Sequence, residues 1–190
     1  MKKNLQDIGG VIFDALITIV IGIVVLNILG SILISTALGA EQPLTKDEQT
    51  VAITLMGEAR GEKNAGMYAV ACVIQKRADE RKLTPAQVCK QPWQFSCWNK
   101  GQENYIDLMK RLLKSNTTQA QYAKKLARAI CAGGRLVQSF TGEANHYYSM
   151  KVMKKPPYWA FKKVKVRGAI VKVAIKPSKI IGNHVFYKGL

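Results

Sequence analysis

The chain is short of acids and nearly without histidine. Its 190 residues hold 12 Asp and Glu and 2 His against 29 Lys and Arg, a formal net charge of +17. No acid follows Glu143. The 4 cysteines show no C-x-x-C spacing, so with so little histidine a zinc site has few ligands to draw on. No metal and no cofactor is expected. There is no internal repeat and no low-complexity stretch, which excludes solenoids and arrays. At 22% charged and 48% hydrophobic residues the chain is neither disordered nor collagen-like.

What is present in excess is positive charge. Such a field attracts polyanions: nucleic acid, anionic lipid surfaces or the acidic bacterial envelope. Charge alone does not choose among them.

Ala15 to Ile34 carries no charge and is rich in Ile, Val and Leu. About 20 apolar residues suffice to span a bilayer, and a secretory signal has a shorter apolar core of about 7–15. An uncleaved signal anchor is therefore favoured. Ser35, Ala37 and Ala40 keep a cleavage site open. Lys2 and Lys3 lie before the run, and Glu41, Asp47 and Glu48 after it. Positive flanks stay in the cytoplasm, so the remainder would face a periplasm or wall, anchored to the inner membrane or secreted after cleavage. Residues 1–40 read as the anchor or signal segment and 41–190 as one outer domain. In an exported domain an even cysteine count suggests disulfides. Cys89 and Cys97, which flank a loop, are the favoured pair. Cys72 and Cys131 fall on helices, where they pair or stay as buried thiols.

Thr45 with Glu48 makes a capping box for a helix through Val51, Ile53, Leu55 and Met56, ending near Gly57 and Gly61. Asn64 opens a second helix. Thr84, Pro85 and Gln87 start a third. Residues 91–101 read as a loop, 103–114 as a helix, and Thr118 with Gln121 caps another that ends near Gly133. Residues 162–176 read as two strands around a turn at Gly168, and 180–187 as a further strand. Helices first and a small antiparallel sheet last is an α+β pattern.

Breaking a glycosidic bond needs a proton on the leaving oxygen, which a sheltered carboxylic acid can supply. Most of the acids here sit in caps, first turns or solvated helix ends. Glu58, Glu62 and Glu143 remain. Glu58 follows an apolar helix in "LMGEARGE", whose neighbours would desolvate it and favour the protonated form. The plain alternative is a surface pair of Glu58 or Glu62 with Arg60 or Lys63. Trp93, Phe95 and Trp98 in one loop, and Tyr147 and Tyr148 in another, suit the apolar faces of sugar rings. Gln94, Ser96, Asn99 and His146 could bind the hydroxyls. The alternative for the aromatics is a place in the core, and for His146 and His184 burial against backbone partners.

"GEARGE" followed by "GMYAVACVIQKR", then "QPWQFSCWN", "ANHYYSM", "PPYWA" and "IGNHVFYKG", resembles the cell wall hydrolase family typified by spore-cortex-lytic enzymes. The resemblance runs from Thr45 almost to the C-terminus. It implies a small lysozyme-like, mainly helical α+β domain. It also implies cleavage of the β-1,4 bond between N-acetylmuramic acid and N-acetylglucosamine in peptidoglycan. The catalytic acid would be Glu58, with Glu62 in support. Gln94, Phe95, Ser96, Trp98, His146, Tyr147 and Tyr148 are the expected substrate-binding residues. The family usually has glycine where Glu143 stands, so Glu143 is a poor second carboxylate. Residues 162–176 are longer and more basic than the family norm.

Without a second carboxylate a lytic transglycosylase forming 1,6-anhydro ends is expected, with muramidase-type hydrolysis as the alternative. A compact, lysine-rich, tethered wall enzyme also suits a phage endolysin. A different class remains open: a non-enzymatic basic membrane protein that binds anionic polymer or nucleic acid. For the enzyme, the expected partners are glycan strands and the membrane, with no nucleic acid and a monomeric state.

Overall fold

The computed structural model describes Ile23 and residues 42–189. The expected membrane segment over Ala15–Ile34, apart from Ile23, and the cleavage candidates after it lie outside the described residues. Among the described residues no helix is long and apolar enough to cross a membrane. The chain divides after Pro43, and the unit beginning at Leu44 carries the features below.

Helix α1 (Lys46–Ala59) starts where the capping box places it, with Thr45 and Glu48 exchanging side-chain and backbone hydrogen bonds. Val51 through Met56 are all buried. A helix apolar all round must be enclosed, and α1 contacts the four other α-helices described in this unit: α2 (Lys63–Arg81), α3 (Pro85–Lys90), α4 (Glu103–Leu113) and α5 (Thr118–Cys131). The helix ends between the two expected glycines, Gly57 and Gly61. It runs on to Ala59, which puts Glu58 in its last turn. Gly57 also serves packing, since a Cβ there would come within 2.9 Å of the Cys97 Cβ.

Helix α2 begins one residue before Asn64, with Glu62 at its cap position. The box on Thr84 and Gln87 with Pro85 is present at α3. Thr117, rather than Thr118, caps α5.

Strands β1 (His146–Ser149), β5 (His184–Tyr187) and β4 (Lys179–Ile181) form one antiparallel sheet in the order β1-β5-β4. Strands β2 (Phe161–Val166) and β3 (Ala169–Ala174) form a separate hairpin. Its turn is Arg167-Gly168, both at positive φ, the conformation a two-residue hairpin loop requires. The fold is thus mixed helix and small antiparallel sheets. Two expectations need correction. Residues 180–187 make two strands, because Gly182 at φ +57 turns the chain between them. Tyr147 and Tyr148 sit on a strand, not a loop, since β1 borrows its ladder from β5 far along the chain.

All four cysteines are free thiols, so the expected Cys89–Cys97 bridge is not formed. Cys97 packs against Gly57, whereas Cys89 bonds at Thr54, one turn earlier on α1. Burial pushes the Cys72 and Cys89 thiols up to about 12 and Cys131 to about 11. Cys72 and Cys89 are protonated thiols in the core, and Cys131 packs half-buried against it.

Candidate active site

The end of α1, the 91–101 loop, β1, β5 and the segment 151–159 surround a groove of about 910 Å³. That is the size of an ordinary small-ligand cleft. Glu58 lies in its lining, half-buried. The Tyr147 hydroxyl donates to Glu58 Oε2 at 3.0 Å, and the Ser96 hydroxyl donates to Oε1 at 3.3 Å. Burial, then the Glu58 charge, raises Tyr147 well above the ordinary phenol range, so it keeps its proton and remains a donor. Among the described residues no Lys or Arg forms an ion pair with Glu58. Arg60 turns away, donating to the Tyr105 hydroxyl and to Met109 Sδ at 3.6 Å.

The loop bearing Ser96 is fixed to α1 one turn before Glu58. Trp98 Nε1 donates to Thr54 Oγ1 at 2.8 Å, and Lys90 Nζ caps the indole face 3.1 Å from its centroid. Tyr105 ties α4 to the same region by donating to the Gly57 carbonyl at 2.7 Å. Arg77 lies beneath the groove, buried, with Nε donating to the Asn145 carbonyl at 2.7 Å and the guanidinium 5.4 Å over the Phe95 ring. Burial lowers its pKa, and the Glu58 carboxylate is among the groups opposing that shift.

Glu62 also borders the groove, but both its oxygens are engaged. Asn183 donates from its backbone N–H at 2.8 Å and from Nδ2 at 3.0 and 3.2 Å. Burial pushes this carboxyl up, yet the Asn183 hydrogen bonds and the charges of His184 and Lys151 hold it below its usual value. The clamp joins the α1–α2 corner to the β4–β5 turn. It is tight on both sides, since a Cβ on Gly182 would sit 2.3 Å from Glu62 Oε2 and one on Gly66 2.2 Å from the Glu62 Cβ. Neither glutamate makes the surface pair with Arg60 or Lys63 that the sequence left open.

Of the expected binding residues, Gln94, Ser96, Tyr147 and Tyr148 line the groove. Phe95, Trp98 and His146 do not. Phe95 is 2% exposed and belongs to the main core. Trp98 packs against that core through its bond to Thr54. His146 turns to Asn145 Oδ1 at 3.0 Å and to the Trp159 ring. Each segment thus divides its side chains between core and groove. Glu143 is remote from the groove. It has φ +58 and an ion pair to Lys188, and this left-handed conformation favours glycine.

Sequence reasoning missed Tyr105, Arg77, Tyr158 and Trp159 as groove residues, and took Trp93 only as one aromatic among several. Trp93 is 85% exposed and held at φ +64, and Tyr158 is 87% exposed. The "PPYWA" run held the clue, because prolines that precede two aromatics stiffen a surface turn. His184 is buried behind Tyr147, with ring centroids 5.0 Å apart; burial lowers its pKa while Glu62 opposes this.

The family model for cell wall hydrolases matches residues 61–187. The chain belongs to the cell wall hydrolase family. The match begins just past Glu58 and takes in Glu62, the 91–101 loop and all five described strands. Family membership makes this hydrolase an enzyme acting on peptidoglycan and removes the non-enzymatic polymer-binding alternative. Two solved structures are similar to it. The catalytic domain of the germination-specific lytic transglycosylase SleB from Bacillus anthracis shares 25% identity, with 78% of this chain and 100% of that chain covered and a TM-score of 0.47. The catalytic domain of the Bacillus cereus SleB protein shares 24% identity, with 79% and 99% covered and a TM-score of 0.45. A comparison with curated proteins gave no match.

Proposed function

We propose that this hydrolase cleaves the β-1,4 bond between N-acetylmuramic acid and N-acetylglucosamine as a lytic transglycosylase, with Glu58 as acid and then base. In the first half, Glu58 gives its proton to the bridging oxygen and the bond to the anomeric carbon breaks. In the second, the 6-hydroxyl of the same muramic acid closes on that carbon, and Glu58 takes the hydroxyl proton. No water is consumed, and the product carries a 1,6-anhydro ring.

The observation that carries the reading is the unequal state of two carboxylates. Among the described residues lining the groove, only Glu58 and Glu62 are acidic. Glu62 is held at both oxygens by Asn183, while Glu58 meets only two hydroxyl donors. A retaining hydrolase needs a second carboxylate as nucleophile and an inverting one needs a second as base. An attacking hydroxyl within the substrate needs neither.

Around Glu58, Trp93 and Tyr158 offer exposed rings for sugar faces, and Gln94 offers polar contacts. Arg60, Arg77 and Lys151 give the lining a cationic character suited to an acidic glycopeptide. Peptidoglycan lies outside the cytoplasm, so the enzyme works there, held by the apolar segment over Ala15–Ile34 or freed by cleavage after it. Mass spectrometry of digested peptidoglycan tests the reaction, since anhydro ends weigh one water less than reducing ends. Reducing ends alone would make the enzyme a muramidase.

A further inference from the structure

The β2–β3 hairpin is not needed to build the groove, and it is poorly covered. Apart from half-buried Phe161 and Val164, every residue of its two strands is exposed. A lone two-stranded ribbon is marginal in water, and exposed apolar faces mark contact surfaces. The pairing register assigns its side chains to two faces, because alternate residues on a strand and directly paired residues across it share a face. Val164 pairs with Val171, Lys162 with Val173 and Val166 with Ala169, so one face is nearly all aliphatic. The other face is mixed: Lys163 pairs with Lys172 and Lys165 with Ile170, which is 73% exposed, and Phe161 pairs with Ala174 at its base. Val166, Val171 and Val173 are 48%, 44% and 39% exposed.

We propose that this hairpin docks on an anionic lipid surface, with its valine face lying in the interface. Charge complementarity selects the partner. The ribbon and its turn hold Lys162, Lys163, Lys165, Arg167 and Lys172 and no acid. Among the described residues none of these cations is ion-paired. A second copy of the chain would bring like charges together. A soluble polyanion would use the lysines and leave the valines in water. A bilayer with acidic headgroups satisfies both faces: the aliphatic face enters the headgroup boundary and the cations feel the surface potential. The hairpin would hold the catalytic unit near the membrane, where the innermost glycan strands lie.

The test uses the full chain with one new cysteine, Val171→Cys or Lys172→Cys, carrying an environment-sensitive fluorophore. The unsubstituted protein treated the same way gives the background from its own thiols. The apolar N-terminal segment is present in every arm, so it cannot produce a difference between the two faces. With vesicles of phosphatidylcholine and phosphatidylglycerol, the label at 171 should brighten several-fold and shift to the blue, and the label at 172 should change little. Pure phosphatidylcholine vesicles should give much less. No response at 171, equal responses at both positions, or an equal response to pure phosphatidylcholine would overturn the proposal. So would an equal response to soluble poly(glycerol phosphate), which would assign the hairpin to wall polymer instead.

Discussion

Tyr147 and Glu58 stand 89 residues apart in the chain and 3.0 Å apart in space, the phenol donating to the carboxylate Oε2. This bond joins the last turn of α1 to the first strand of the sheet. It fixes one face of the carboxyl and leaves the rest to the groove. Tyr147→Phe keeps the ring against His184 and Phe186 and removes only the donor. A hydrogen bond to a charged group contributes about 1.5–3 kcal/mol to stability, so the melting temperature should fall by a few degrees, and activity on peptidoglycan should fall by roughly tenfold or more in protein that is still fully folded. Unchanged turnover would show that the phenol does not position the acid.

Trp93→Ala and Tyr158→Ala should weaken substrate binding without touching the chemistry. Both rings are largely exposed and support nothing beneath them. The expected result is a several-fold rise in KM on soluble glycan fragments with kcat nearly unchanged. A loss confined to kcat would assign these rings a different role.

Phe95→Ala should behave in the opposite way. This ring is in the core beneath Arg77, and truncating a buried phenylalanine costs about 3–5 kcal/mol. Denaturant unfolding should show a lower midpoint, with activity lost in step with the folded fraction.

Glu62 should make the domain acid-sensitive. Its folded pKa lies below its ordinary value, so its contribution is fully present above the unfolded pKa and is lost as pH falls through the folded one. Glu62→Gln should lower the melting temperature at neutral pH and flatten its decline on acidification. A variant that melts like the parent at every pH would show that the Asn183 clamp adds nothing.

Much of this was legible in the sequence where local chemistry decides. Thr45 with Glu48, and Thr84 with Gln87 behind Pro85, declare their helices because a cap is a contact within four residues. The hairpin around Gly168 declares itself for the same reason. The scarcity of acids narrowed the candidates to Glu58, Glu62 and Glu143, and the family resemblance then pointed to Glu58. Non-local matters were hidden. Strand β1 exists only through its pairing with β5, and the Glu62–Asn183 clamp closes over 121 residues. Which way an aromatic points was also hidden, so Phe95 and Trp98 read like Trp93 until packing separated them.

The most direct measurement compares the parent protein and Glu58→Gln on purified peptidoglycan, with released fragments weighed by mass spectrometry and folding followed by circular dichroism. General acid–base catalysis is worth about 10²–10⁴-fold, so the parent should release 1,6-anhydro ends and the folded variant almost none. Undiminished release by a folded Glu58→Gln protein would contradict the assignment of the acid.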